Sequence, residues 1–355
     1  MGLRRSQCVS MLLTGLLLLT CSSTSSRTQN RDARSLLAWL PVSLTNQEGE
    51  TAQLFPIEQR GKWGYINSTG RVVIRPRFNF AAGFSDGLAL VQIGDKYGYI
   101  DRTGKFVIQA RYLIAEGFSE GLASVWIQTN ESIKYGFIDR GGKVVIRPQF
   151  DTADKFHEGF ASVKVGRKWG FMNTTGRMVV PAKYDAAAGF FEGLGLIIIN
   201  NKTGFVDKAG EVVIDPQFDL AMWFKGGLAP VKIGERWGFI DKRGKTAIRP
   251  QFDMALLFSE GLAPVMINRK WGYVDETGKF VISPQFRWAR DFSEGLATVN
   301  VNGKWGYIDK SGTVVIEPQF EEAGNFNDGL ALVMTKSGRG YINKGGKWIW
   351  NPTDC

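Results

Sequence analysis

The chain has 355 residues, of which 44% are hydrophobic and 22% charged, an ordinary balance for a folded chain. Its three cysteines (Cys8, Cys21 and Cys355) and single histidine exclude a disulfide-stapled fold and a Cys/His zinc site. The formal net charge of +10 favours acidic partners, such as anionic head groups, acidic glycans or nucleic acid, or else serves solubility.

At the N-terminus, Arg4 and Arg5 precede an apolar run from Cys8 to Thr20. That run is shorter than the roughly 20 residues a membrane-spanning helix needs, so residues 1–21 read as an export signal. The end of the run, Leu18-Leu19-Thr20-Cys21, resembles a bacterial lipoprotein box in which Cys21 would carry the lipid. Thr20 departs from the small residue that box prefers, and cleavage within the following serine-rich stretch is the alternative. Residues 22–52 read as a polar tether ending in an N-terminal cap, with Leu36, Leu37, Trp39, Leu40 and Val42 forming its apolar cluster.

From residue 53 onward a glycine recurs at a fixed step, as Gly64, Gly98, Gly136, Gly170, Gly204, Gly238, Gly272, Gly306 and Gly340. Seven of the eight intervals are 34 residues, and the longer one, 38 residues, falls on a loop around Asn130. The preceding residue is aromatic in seven copies, among them Trp63, Trp169, Trp237, Trp271 and Trp305. Such a period means one small unit copied nine times, which makes an extended surface more readily than one catalytic pocket.

Within one unit, Leu228–Ile233 is a β-branched run, Gly234-Glu235 a turn, Arg236–Asp241 a second run and Lys245–Arg249 a third, ended by Pro250. In another copy the first turn is Asn302-Gly303, the strongest two-residue hairpin signal. The second turn reads Asp-x-x-Gly in six copies, where the carboxylate bonds backbone two residues on. Each unit is therefore expected to be a three-stranded antiparallel meander. The linker after it, with Phe252, Ala255 and Phe258 three apart, suits a short helical turn or an irregular packed loop. A tetratricopeptide array shares the period, but glycine or proline interrupts every candidate helix. Beside each strand glycine an aromatic ring is expected to fill the missing side-chain space. The same rings could instead form a row on which sugars stack.

These residues resemble the WG-repeat (KWG-repeat) family of bacterial proteins. The run Gly-Lys-Trp-Gly-Tyr-Ile-Asp-Lys-Ser-Gly at 303–312 is close to the family signature, and the resemblance covers about 300 residues. It implies a predominantly β fold and a binding or scaffolding role, often in exported proteins. It carries over no catalytic residue.

The candidate chemistry follows the repeat. A basic residue precedes the aromatic, or Thr203 in its place, in eight copies: Lys62, Lys96, Lys134, Lys168, Lys202, Arg236, Lys270 and Lys304. Stacked copies would align these into a cationic stripe, either blocking edge-to-edge aggregation or tracking a repeating polyanion. His157 occupies a slot that varies among the copies and is expected at the surface. The acids just before a glycine, such as Glu192 and Glu260, read as turn chemistry rather than a catalytic pair. One carboxylate per Asp-x-x-Gly turn is too few for calcium.

The expected fold is all-β: nine three-stranded meanders over residues 53–355 in an elongated superhelical array, with a closed β-propeller as the alternative. The expected function is a non-catalytic envelope scaffold or binding module for protein partners. The alternative is a carbohydrate- or polyanion-binding module for envelope polymers, and a glycoside hydrolase is the third reading. No cofactor, metal or nucleic acid is expected, and membrane contact only through a lipid on Cys21.

Overall fold

The computed structural model describes residues 53–128 and 133–351. The export signal, the tether and cap, Cys21 and the loop at Asn130 lie outside the described residues. The described chain forms nine small antiparallel sheets, numbered here as blades 1 to 9 in chain order.

The meander expected of each copy is present. In blade 6, Leu228–Ile233, Arg236–Asp241 and Thr246–Phe252 pair in sequence order. Asn302 and Gly303 both take positive φ, as the two-residue turn requires. Asp241 Oδ1 accepts the Arg243 and Lys245 amides, each at 2.9 Å, closing the second turn.

The linker differs from its expectation. Met254–Ala255 is neither a helical turn nor an irregular loop but a short strand, paired with Met266 and Val265 of the next copy. In blades 2, 5 and 8 this strand is six residues long: Phe80–Ser85, Ala186–Phe191 and Trp288–Ser293. A blade therefore has four strands, the first drawn from the linker of the preceding copy, except blade 1, whose described residues supply three. Blade 3 holds its first strand through Ala115, which bridges Val125, with Glu116 and Ile114 bonded across to Ser124 and Trp126.

The first strands face the ring axis. Lys225 Nζ of blade 6 lies 3.9 Å from Asp291 Oδ2 of blade 8, a contact that skips blade 7. The fourth strands form the outer edge, where Val73, Val145 and Val315 stand exposed. Pro250 and its counterparts withhold a donor from that edge, which discourages pairing with another chain.

The core lies between blades rather than within one. Trp237, Phe239, Ile248 and Phe252 of blade 6 pack on Ala255, Phe258, Ala263 and Val265 of blade 7. Full burial of each such aromatic contributes about 1.5–3 kcal/mol relative to exposure. The same layer recurs at the ninth interface, where Phe55, Ile57 and Ile66 of blade 1 pack on Leu330 and Tyr341 of blade 9.

The elongated superhelical array is thus incorrect: the molecule is a closed nine-bladed β-propeller. Closure needs no exchange of strands between the two ends of the described chain, because the first and last blades meet face to face. Phe55 and Tyr341 pack edge to face with centroids 5.4 Å apart.

The strand glycines have a different cause from the one expected. A Cβ on Gly238 would sit 2.5 Å from the Ile248 carbonyl oxygen and 2.7 Å from the Pro250 nitrogen. The bulged fourth strand crosses there, between the pairs made by Trp237 and Phe239, so outer-strand backbone occupies the space rather than an aromatic ring. The preceding ring points instead into the blade interface. Trp271, 1% exposed, stacks on Trp288 of the next blade at 6.0 Å. Thr203, which breaks the aromatic column, keeps the same buried place at 2% exposure.

Candidate axial binding site

Each first strand from blade 2 to blade 9 carries one buried phenylalanine, from Phe84 and Phe118 through to Phe292 and Phe326. It faces the preceding blade, as Phe326 meets Tyr307 at 4.8 Å. Strand alternation turns the residues on either side of it to the other face of this innermost strand, toward the following blade. Blades 2 and 3 keep these positions small, as Gly83, Ser85, Gly117 and Ser119. Ser85 and Ser119 donate to the Phe118 and Phe156 carbonyls of the following blade at 2.6 and 2.7 Å.

Blades 4 to 8 depart from that plan. His157, Phe191 and Trp223, on three successive blades, form a row of part-buried rings. The His157 and Phe191 centroids are 4.9 Å apart, and Phe191 and Trp223 stack at 5.1 Å and 25°. His157 is therefore not the surface residue expected of a variable slot. Its burial beside Phe191 lowers its pKa, which keeps the ring neutral near pH 7.

Two lysines bracket the row. Lys225 donates to Ser259 Oγ at 3.0 Å and faces Asp291, whose carboxyl is pushed up by burial. Lys155 precedes His157 by two residues on the same strand, and its ammonium lies 3.9 Å from where a Gly117 side chain would begin. Among the described residues it has neither a hydrogen bond nor an ion pair within 4 Å. The wall beyond it is open: a side chain on Gly83 would meet nothing within 4 Å.

Behind this wall, on the opposite strand face, sit two half-buried acids, Glu116 and Asp154. Asp154 accepts from Ser162 Oγ. Burial raises both carboxyls. Blade 8 also has a polar pair here, Arg290 and Thr298, whereas other blades have apolar ones, as with Ala188 and Leu196 or Leu256 and Pro264.

The cationic column lies elsewhere, on each third strand, and six of its eight members are ion-paired, five of them to the acid 17 residues on. Lys168 meets Asp185 at 2.7 Å, Lys202 meets Asp219 at 2.6 Å and Lys304 meets Glu321 at 2.6 Å. Lys134 pairs with Asp151, and Arg236 with Asp253. Lys96 lies 3.8 Å from the neighbouring Asp95. The acid's place is taken by Asn79 opposite Lys62 and by Arg287 opposite Lys270. The column is thus largely a ring of salt bridges.

The acids before each glycine are more than turn residues. Glu192, at φ 52°, accepts the Gly226 and Gly227 amides of the next blade at 2.6 and 2.9 Å and meets Lys242 at 3.2 Å. They tie neighbouring blades together. Sequence reasoning missed Lys155, Phe191, Trp223, Lys225 and Asp291. The available signal was their departure from the Gly/Ser habit of two columns in the linker.

A family model described as "WG containing repeat" matches residues 63–97, 97–125, 135–169, 169–202, 204–237, 237–271, 271–305 and 305–338. No curated protein matches the chain. Among solved structures, the dihydro-heme d1 dehydrogenase NirN in complex with DHE is 14% identical, with a TM-score of 0.47, covering 86% of this chain and 78% of its own. Hsv2 of Kluyveromyces marxianus is 10% identical, with a TM-score of 0.41 and coverages of 66% and 93%. The extracellular domain of a hybrid two-component system from B. thetaiotaomicron is 11% identical, with a TM-score of 0.26 and coverages of 85% and 57%. At these values none of them says what this chain binds.

Proposed function

The chain belongs to the WG-repeat family, and on that footing we propose that it is a non-catalytic binding module of the cell envelope that takes carbohydrate at the propeller axis. One observation carries this reading. The large departures from the repeat on the first strands, His157, Phe191, Trp223, Lys225 and Asp291, converge on the axis. Part-buried rings beside a few polar groups are the usual make-up of a site for a polar, ring-shaped ligand. Export is supported by Arg4, Arg5 and the apolar run to Thr20, and anchoring by the lipoprotein-like setting of Cys21.

The cationic column is the poorer candidate for a polymer track, since acids already answer most of it. The scaffold reading, with a protein partner, competes for the same protein. Binding of the full chain to an array of envelope glycans separates the two. Trp223→Ala and Phe191→Ala should each weaken glycan binding about tenfold, the scale on which aromatic stacking operates. Glycan binding untouched by both substitutions would remove the axis as the site. Binding to protein partners alone would favour the scaffold.

A further inference from the structure

We propose that the axial site is selective for an acidic sugar, a uronate-type residue, and that the Lys155 ammonium receives its carboxylate. This rests on the axial carbohydrate reading above and adds the ligand's charge.

The two axial lysines differ in their surroundings. Lys225 is engaged by Ser259 and Asp291. Lys155 makes no hydrogen bond or ion pair within 4 Å among the described residues, and it reaches toward Gly117 of the neighbouring blade. Extended alternation puts Lys155 and His157 on one side of their strand, and Asp154 on the other, where Ser162 holds it. The ammonium thus faces away from the nearest acid on its own strand.

The space beside Lys155 is kept by small residues. Gly83, Ser85, Gly117 and Ser119 give blades 2 and 3 a wall without large side chains, and the serine hydroxyls are spent on the Phe118 and Phe156 carbonyls. The ring row begins at His157 on the other side. A pyranose lying against these rings would bring a ring substituent within reach of Lys155. Lys155 offers one positive charge without a hydrogen bond or ion pair, which matches a singly charged carboxylate; the acid its charge acts on, Glu116, lies on the opposite strand face with its carboxyl pushed up by burial.

A charge-assisted hydrogen bond in such a place is worth about ten- to a hundredfold in affinity. The test is calorimetric titration of the full chain with oligogalacturonate and with its methyl ester, the same sugar without the charge. The wild type should bind the acid form at least tenfold more tightly. Lys155→Met should bring the acid form down to the ester's affinity, and Lys155→Arg should keep most of the preference, with thermal melting confirming that both variants fold. Equal binding of acid and ester to the wild type would overturn the proposal while leaving the axial reading in place, provided Trp223→Ala weakens both. A preference that survives in Lys155→Met would also overturn it. Failure of both forms to bind would sink this proposal and count against the axial reading together.

Discussion

The hydroxyl of Tyr341 donates to the carbonyl of Pro56 at 3.0 Å, joining residues 285 positions apart. Elsewhere the same tyrosine reaches only 17 residues ahead, to the first strand of the following blade: Tyr65 to Ala82 at 2.7 Å and Tyr307 to Gly324 at 2.8 Å. In blade 1 the described residues supply no such strand, so the Leu54–Gln59 strand receives the bond. Tyr341→Phe should cost about 1 kcal/mol in urea unfolding. Amide exchange should rise in blades 1 and 9 together. A rise in blade 9 alone would mean that the two ends do not close on each other in solution.

Two glycine substitutions should behave in opposite ways. In Gly238→Ala the new methyl meets the outer strand's backbone, which cannot move aside as a side chain could. The expected loss is about 2–4 kcal/mol, seen as a clear fall in melting temperature. Gly83→Ala enters open space at the axis and should stay within about 0.5 kcal/mol of wild type. Similar losses at both would show that the crossing strand yields.

The Lys168–Asp185 pair is half exposed on each side, so Lys168→Met should cost no more than about 0.5 kcal/mol. Asp185→Ala should cost more, because Asp185 also accepts the Asn200 amide at 2.8 Å. The Lys168 hydrogen bond, then the Asn200 amide, holds the Asp185 carboxyl below its ordinary value. Its stabilising contribution is therefore present above the unfolded value, about 3.9, and is lost as pH falls through the lower folded value. Denaturant melts between pH 7 and pH 2 should show the wild type converging on Asp185→Ala only at the acid end.

Asp154 works with the opposite sign. Burial raises its carboxyl despite the hydrogen bond from Ser162. Below about pH 3.9 the group is protonated in both states and costs nothing. As pH rises through the folded value, ionisation favours the unfolded chain and stability declines. Asp154→Asn keeps the shape and removes the charge. Its stability relative to wild type should improve from pH 4 to pH 8 by on the order of 1 kcal/mol, measured by urea unfolding. A difference that stays flat with pH would mean that the carboxyl titrates normally.

Much of this architecture is legible in the chain, and the gaps have physical causes. The Trp-Gly step, the Asn302-Gly303 hairpin and the Asp-x-x-Gly turns each impose a local backbone demand, so they mark strands and turns directly. The two-residue strand Met254–Ala255 is too short for any periodicity to register. Closure depends on how Phe55 meets Tyr341, a relation between the two ends that no local pattern records. The salt-bridge ring was half visible: the acid 17 residues after Lys168 stands in plain sight as Asp185, but its pairing requires knowing where the linker runs. The axial residues looked like noise in two linker columns. They became a group only once those columns were seen to converge.

Closing the ring by packing faces, with no strand shared between the first blade and the last among the described residues, leaves the molecule free to change its copy number. Duplicating a whole 34-residue unit adds one more interface of the existing kind and leaves no strand without its partner. A propeller sealed by strand exchange has its two ends committed to one blade. Here the two ends meet by packing, as neighbouring blades do elsewhere, so unequal recombination between repeats can widen or narrow the central opening while the wall chemistry of each blade travels with its own segment.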